Sequence, residues 1–105
     1  MKVMISQPMN GLTEEQIRNT KKQIVEKFNS MHIEVIDTLF TEEAPTDCNQ
    51  AIYYLAKSIN AMKDIDAIYM CDGWEKARGC RIEYEVAMRY GIKVLDNSFF
   101  ENKWK

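Results

Sequence analysis

The 105-residue chain has little of what interrupts a compact fold or marks a specialised class of protein. It contains four glycines, two prolines and one histidine, and we find no internal repeat, linker or low-complexity tract. Its longest apolar runs are only a few residues, too short for a signal peptide or a membrane span. We therefore expect one domain over residues 1–105, in the cytoplasm and without a membrane partner.

Excess positive charge and paired cysteines are also missing. Fourteen basic residues face sixteen acidic ones, for a formal net charge of −2, which argues against binding to a nucleic-acid polymer by phosphate neutralisation. The three cysteines, Cys48, Cys71 and Cys80, form no metal-binding spacing. We predict reduced thiols, no metal site and no cofactor.

What the chain does contain is a regular alternation of short apolar runs and apolar stripes at helical spacing. The predicted strands cover residues 2–5, 33–37, 66–70 and 92–95, and the predicted helices cover 13–30, about 47–63 and about 79–90. Thr13 and Gln16 form a capping-box pattern, and Asp47 is expected to cap the second helix. The polar-aromatic tail after residue 95 gives no clear prediction.

Strict alternation of strands and helices predicts an α/β fold with right-handed crossovers and a parallel sheet. The best match is a small doubly wound, Rossmann- or flavodoxin-like sheet of about four strands in the order 2-1-3-4, with helices on both faces. Ligands of such sheets bind beyond the carboxyl ends of the strands. The loops "SQPMNG" and "CDGWEKARG" follow strands one and three, so both should reach that edge.

The third predicted helix carries the strongest candidate for chemistry. Gly79, Glu83 and Ala87 are spaced by four residues and therefore share one helical stripe. The small residues allow close approach to another backbone, which draws Glu83 toward the protein, whereas Glu85 should be solvated. A carboxylate on such a face is costly unless it is used. The alternative is a structural salt bridge from Glu83 to Arg78, Arg81 or Lys93.

Further candidates come from the same two loops and the start of the third helix. Trp74 could stack on a ring or simply cover the core, and Arg78 could bind an anion or be solvated. The segment "QPMNG" could line a pocket or only form a tight turn. The candidate substrate-binding residues are Ser6, Asn10, Gly11, Asp72, Gly73, Trp74, Arg78, Gly79 and Cys80.

The segments "MKVMISQPMNG", "DIDAIYMCDGWEKARGCRIEYEVA" and "YGIKVL" resemble the nucleoside 2-deoxyribosyltransferase-like superfamily over nearly the whole chain. The resemblance implies cleavage of an N-glycosidic bond in a nucleoside or nucleotide, with transfer of the sugar to another base or to water. It implies that Glu83 is the nucleophile, and that the protein forms a homodimer or larger homo-oligomer in which a neighbour's carboxyl-terminal segment often completes the site. The tail residues Asn97, Ser98, Phe99 and Phe100 could have that role, or they could be a disordered end. The alternative function is a module that binds a nucleotide or an ADP-ribose-like ligand without chemistry.

The chain also departs from the characterised members of that superfamily. Ala77 occupies the place of a polar or acidic residue that contacts sugar or phosphate, and Ser58 lies near the position of a catalytic Asp. The first loop has Pro8 and Asn10 where the nucleotide hydrolases have Ser and Arg. The general acid is therefore not identified by the resemblance, and Asp72 or Glu75 are the candidates to replace it.

Overall fold

The computed structural model describes residues 1–36 and 44–103. The four strands are β1 (Lys2–Ser6), β2 (Glu34–Ile36), β3 (Ala67–Met70) and β4 (Lys93–Leu95), and the four helices are α1 (Glu14–Ser30), α2 (Gln50–Ala61), α3 (Arg78–Arg89) and α4 (Asn97–Lys103). Short 3₁₀ turns cover Met62–Asp64 and Trp74–Lys76. Residue 37, the last of the predicted second strand, lies outside the described residues.

The strands form one parallel sheet in the order β2-β1-β3-β4, which confirms the predicted α/β fold and strand order. Neighbouring residues of β1 point to opposite faces of the sheet. Val3 and Ile5 belong to a core cluster with Phe28 of α1, whereas Met4 belongs to a second cluster with Ala87 of α3. Both faces are buried, as expected for a doubly wound sheet.

The helix ends follow local capping chemistry. The Thr13 hydroxyl oxygen accepts a hydrogen bond from the Gln16 amide, and the Thr13 amide donates one to Oε1 of the Gln16 side chain, so the predicted capping box is confirmed. The prediction for α2 is wrong, because Asn49, not Asp47, caps this helix. Asn49 directly precedes the first helical residue, and its side-chain oxygen reaches the amide of Ile52 at 3.2 Å.

Within the described residues, no helix is both long enough and apolar enough to cross a bilayer.

The segment after β4 forms helix α4, which packs against one side of the core. Phe100 of α4 is only 3% exposed, and its ring centroid lies 4.9 Å from that of Phe28 and 5.2 Å from that of Tyr69. The interpretation of this segment as a disordered end is therefore wrong for α4. Phe100 is a core residue of its own chain and is not available to a neighbouring copy.

We predict that Phe100→Ala lowers the free energy of unfolding by about 3 kcal/mol, because it removes a buried ring and leaves a cavity between α1 and the sheet. Chemical denaturation measures this loss. Tyr90→Ala is the control, since Tyr90 is 80% exposed and its loss should change stability by less than about 0.5 kcal/mol. Equal effects of the two substitutions would contradict the packing of α4.

Candidate functional site

The candidate site is centred on a hydrogen bond between the end of β1 and the second turn of α3. The Ser6 hydroxyl donates to Oε1 of Glu83 across 2.6 Å. The two residues are 1% and 8% exposed, so the contact is formed away from bulk water. A neutral hydroxyl offsets only part of the cost of burying a carboxylate, so the burial of Glu83 is energetically unfavourable.

Glu83 lies on the buried face of α3. The close backbone approach predicted at Gly79 is not seen, because a Cβ placed there would meet no atom within 4 Å. Cys80, Glu83 and Ala87 are the buried residues of this helix, and Ala87 and Cys80 pack in the core cluster beneath it. Glu85 points outward and pairs with Arg89 one turn later. The prediction that Glu83 turns inward while Glu85 is solvated is thus confirmed.

The structural salt bridge considered for Glu83 does not form. Between residues that the structure describes, the ion pairs join Arg18 to Glu14, Lys63 to Asp64 and Arg89 to Glu85. The hydrogen-bond partner that Glu83 does have is the uncharged Ser6 hydroxyl.

Burial raises the pKa of the Glu83 carboxyl above its usual value, and hydrogen bonding from Ser6 and Ser58 lowers it in part. The net direction is upward, since desolvation disfavours the charged form more than two neutral donors favour it. Burial also raises the pKa of the Cys80 thiol beside it. This thiol therefore keeps its proton at neutral pH and is a poor nucleophile.

Glu83 lies in the wall of a cavity of about 690 Å³, a size common for small-molecule sites. The cavity is bounded by the loop after β1, by Lys21 of α1, by the first half of α2 and by the first turns of α3. Ile52, Leu55 and Ile82 give it an apolar wall, and Ile52 is 61% exposed. Ser6 and Glu83 contribute polar groups to its lining.

The loops after β1 and β3 meet at the carboxyl-terminal edge of the sheet, as the topology predicts. The Cys71 amide donates to the Ser6 carbonyl at 3.0 Å, which continues the pairing of β1 and β3 past their ends. A Cβ placed on Gly73 would lie 3.9 Å from Cγ of Pro8, so the loop after β3 touches the loop after β1. Gly73 has a φ of 87°, a left-handed conformation that favours glycine.

The structure brings together most of the predicted site residues. Those that line the cavity are Ser6, Asn10, Arg78, Gly79, Cys80 and Glu83. Those that lie outside it are Gly11, Asp72, Gly73 and Trp74. Gly11 has a φ of 80° in a turn closed by the Leu12 amide and the Met9 carbonyl, which gives it a structural role. The ligand contacts of all these residues stay predictions.

The candidate replacement acids also lie outside the cavity. Asp72 is exposed in the turn after β3, and Glu75 faces a separate groove on the outer side of α3. Among the described residues that line the cavity, Glu83 is the sole carboxylate. No group of three described His, Cys, Asp or Glu residues is placed to hold a metal ion.

Sequence reasoning missed the contribution of α2. Tyr54 lines the cavity, and its hydroxyl accepts a hydrogen bond from the Ala44 amide at 2.9 Å. Ser58 appeared only as a departure from a family pattern, but it faces Glu83. The sequence did contain an indication of this contribution, because the three-residue spacing of Ile52, Leu55 and Ser58 places them on one side of α2.

The chain belongs to the family described as "Domain of unknown function (DUF4406)", whose model matches residues 1–96. No curated protein and no solved structure matches the chain. The family description gives no activity, so the resemblance to nucleoside 2-deoxyribosyltransferase-like proteins stays a prediction.

We predict that Glu83→Gln stabilises the fold increasingly as the pH rises. A carboxyl whose pKa is raised in the folded state contributes stability below its unfolded pKa and loses that contribution as the pH rises through the folded pKa. The gain in Tm of Glu83→Gln over the parent should therefore be small near pH 4 and larger at pH 7 to 8. Thermal unfolding across this range measures it.

Glu85→Gln on the same helix is the matched control, because Glu85 is exposed and paired with Arg89. Its Tm difference from the parent should show no such rise. A Tm difference between Glu83→Gln and the parent that does not rise from pH 4 to pH 8 would contradict the raised pKa.

Proposed function

We propose that the protein cleaves the N-glycosidic bond of a nucleoside or nucleotide, or exchanges its base, with Glu83 as the nucleophile. The observation that carries this proposal is the placement of Glu83, a buried carboxylate without a basic partner among the described residues, in the wall of a ligand-sized cavity. The resemblance of the segments around Ser6 and Glu83 to a glycosyl-transferring superfamily supplies the reaction class.

The chemistry suits a carboxylate. As the bond from the sugar carbon to the base nitrogen breaks, the transition state is oxocarbenium-like, and an Oε atom of Glu83 can form a bond to that carbon. The electron pair of the broken bond leaves with the base, which takes up a proton from water, since no second carboxyl group lines the cavity among the described residues. Water or a second base then displaces Glu83 from the sugar, and water loses a proton in that step.

Ser6 and Ser58 are positioning residues in this proposal. The Ser6 hydroxyl donates to Oε1 across 2.6 Å, which orients the carboxylate and leaves Oε2 for the sugar. Both hydroxyls lower the pKa of Glu83 and so increase the ionised fraction that can attack. Ser58 thus has a use at the position where related enzymes carry an acid.

A binding module is the second candidate function. Ala77 and Ser58 line the cavity at positions where the catalytically active relatives carry polar or acidic groups, and neither can protonate a leaving base. On this hypothesis the cavity holds a nucleotide or an ADP-ribose-like ligand without turnover, and ligand binding raises the Tm.

We predict that Glu83→Gln and Glu83→Ala abolish release of free base from a panel of nucleosides and nucleoside monophosphates, measured by liquid chromatography. The loss should be at least about a thousandfold, since the covalent step needs the carboxylate. Glu85→Gln, with the same change on the same helix, should retain the parental rate. Circular dichroism confirms that each variant is folded.

Base release that survives Glu83→Gln would falsify the assignment of the nucleophile. No release by the parent across the panel, combined with a rise in Tm on adding a nucleotide, would instead favour the binding module. Glu83→Gln would then largely keep that rise.

We further predict that Ser6→Ala shifts the pH profile of base release. Loss of the Ser6 hydrogen bond removes an interaction that lowers the pKa of Glu83, so the pH at which the rate reaches half its plateau should move upward. A ¹³C NMR titration of the Glu83 carboxyl gives the same pKa without turnover. A lower rate with an unchanged midpoint would assign Ser6 to substrate contact and not to positioning of Glu83.

A further inference from the structure

A second concavity lies on the outer side of α3, next to the Glu83 cavity. This outer groove has a volume of about 790 Å³. Its walls include Trp74, Lys76, Arg81 and Tyr84, together with Arg78 and Ile82, which also line the Glu83 cavity. The two concavities therefore meet at Arg78 and Ile82, which are called the ridge below.

The outer groove contains a rigid aromatic platform. The rings of Trp74 and Tyr84 are stacked, with centroids 4.5 Å apart and planes inclined by 29°, and both pack against the core cluster below α3. Trp74 is half-buried, so part of its ring remains open to the groove. A platform that is already ordered loses little conformational entropy when a planar ring binds to it.

Positive charge surrounds this platform. Lys76, Arg78 and Arg81 line the groove and belong to none of the ion pairs between described residues. Of the two carboxylates in its walls, Glu85 is bound to Arg89, and Glu75 is exposed. The surface between the Glu83 cavity and the platform is thus suited to an anionic group, and Arg78 on the ridge can bind phosphate oxygens in a bidentate manner.

We propose that the outer groove is a second subsite of the same ligand, and that the preferred ligand is a dinucleotide. One nucleoside unit occupies the Glu83 cavity, its diphosphate crosses the ridge at Arg78, and the second base stacks on the Trp74–Tyr84 platform. This inference rests on the proposed function only in taking the occupant of the Glu83 cavity to be a nucleoside unit. Of the two roles that the sequence left open for Trp74, it assigns stacking on a ring, but outside the cavity that contains Glu83.

Equilibrium binding tests the second subsite, with NAD⁺ as the dinucleotide probe and AMP and nicotinamide mononucleotide as its halves. Calorimetric titration of the Glu83→Gln protein avoids turnover. Because the two halves are linked, NAD⁺ should bind at least about tenfold more tightly than the tighter half. Arg81→Ala, which changes an exposed groove residue, should reduce that ratio to near one.

Arg18→Ala is the control, since Arg18 is an exposed arginine on α1 that pairs with Glu14, and it should keep the full ratio. Trp74→Ala should also reduce the ratio, but its packing against the core makes Arg81→Ala the decisive variant. Failure of NAD⁺ to bind, or to bind more tightly than its tighter half, would overturn the second subsite. So would a ratio unaffected by Arg81→Ala.

The two proposals fail separately. Base release from mononucleosides by the parent, with no preference for the dinucleotide in binding, would leave the Glu83 chemistry intact and remove the subsite. A dinucleotide preference that depends on Arg81, without release of base from any substrate, would support the subsite and favour the binding module.

Discussion

The burial of one carboxylate against a hydroxyl governs the rest of this site. Glu83 is taken out of water by the packing of α3 on the sheet, and its compensation comes from Ser6 and Ser58, not from a cation. Hydroxyl groups offset only part of the desolvation cost of a charge. The folded protein therefore retains part of the desolvation cost of Glu83.

Ser6, Ser58 and Glu83 lie close together because β1 ends at the same edge of the sheet that α2 and α3 pass. Ser6 is the last residue of β1, Glu83 lies in the second turn of α3, and Ser58 lies in the third turn of α2. Next to them, the loop after β1 touches the loop after β3 at Pro8 and Gly73. The first half of α2 extends beyond that edge, and none of the residues of this helix is buried. Its apolar side chains therefore serve as a wall for the cavity more than as core.

Much of this arrangement could be predicted from residue patterns. The strict alternation of elements predicted the parallel sheet and its order, and the four-residue spacing of Gly79, Glu83 and Ala87 predicted the inward direction of the carboxylate. The capping box at Thr13 was also predicted correctly. These features depend on neighbours in the chain or on the general rules of βαβ connections, which a single sequence contains.

The errors and omissions have a common physical origin. Asp47 and Asn49 are both good capping residues, and only the actual start of α2 decided in favour of Asn49. The tail was uninterpretable by itself, because Phe100 becomes a core residue only against Phe28 and Tyr69. Ser58, Tyr54 and Ile52 became wall residues only once α2 extended past the sheet edge.

Periodicity and spacing along the chain were thus sufficient for the elements, for their order in the sheet and for the face on which Glu83 lies. The tertiary structure decided what that carboxylate contacts, namely the Ser6 hydroxyl and no ion-pair partner among the described residues, and it placed Trp74 with Tyr84 in a separate groove. Local patterns record which way a side chain points from its own helix or strand. What it meets there depends on residues up to 77 positions away in the chain, and their distances are set only when the elements pack.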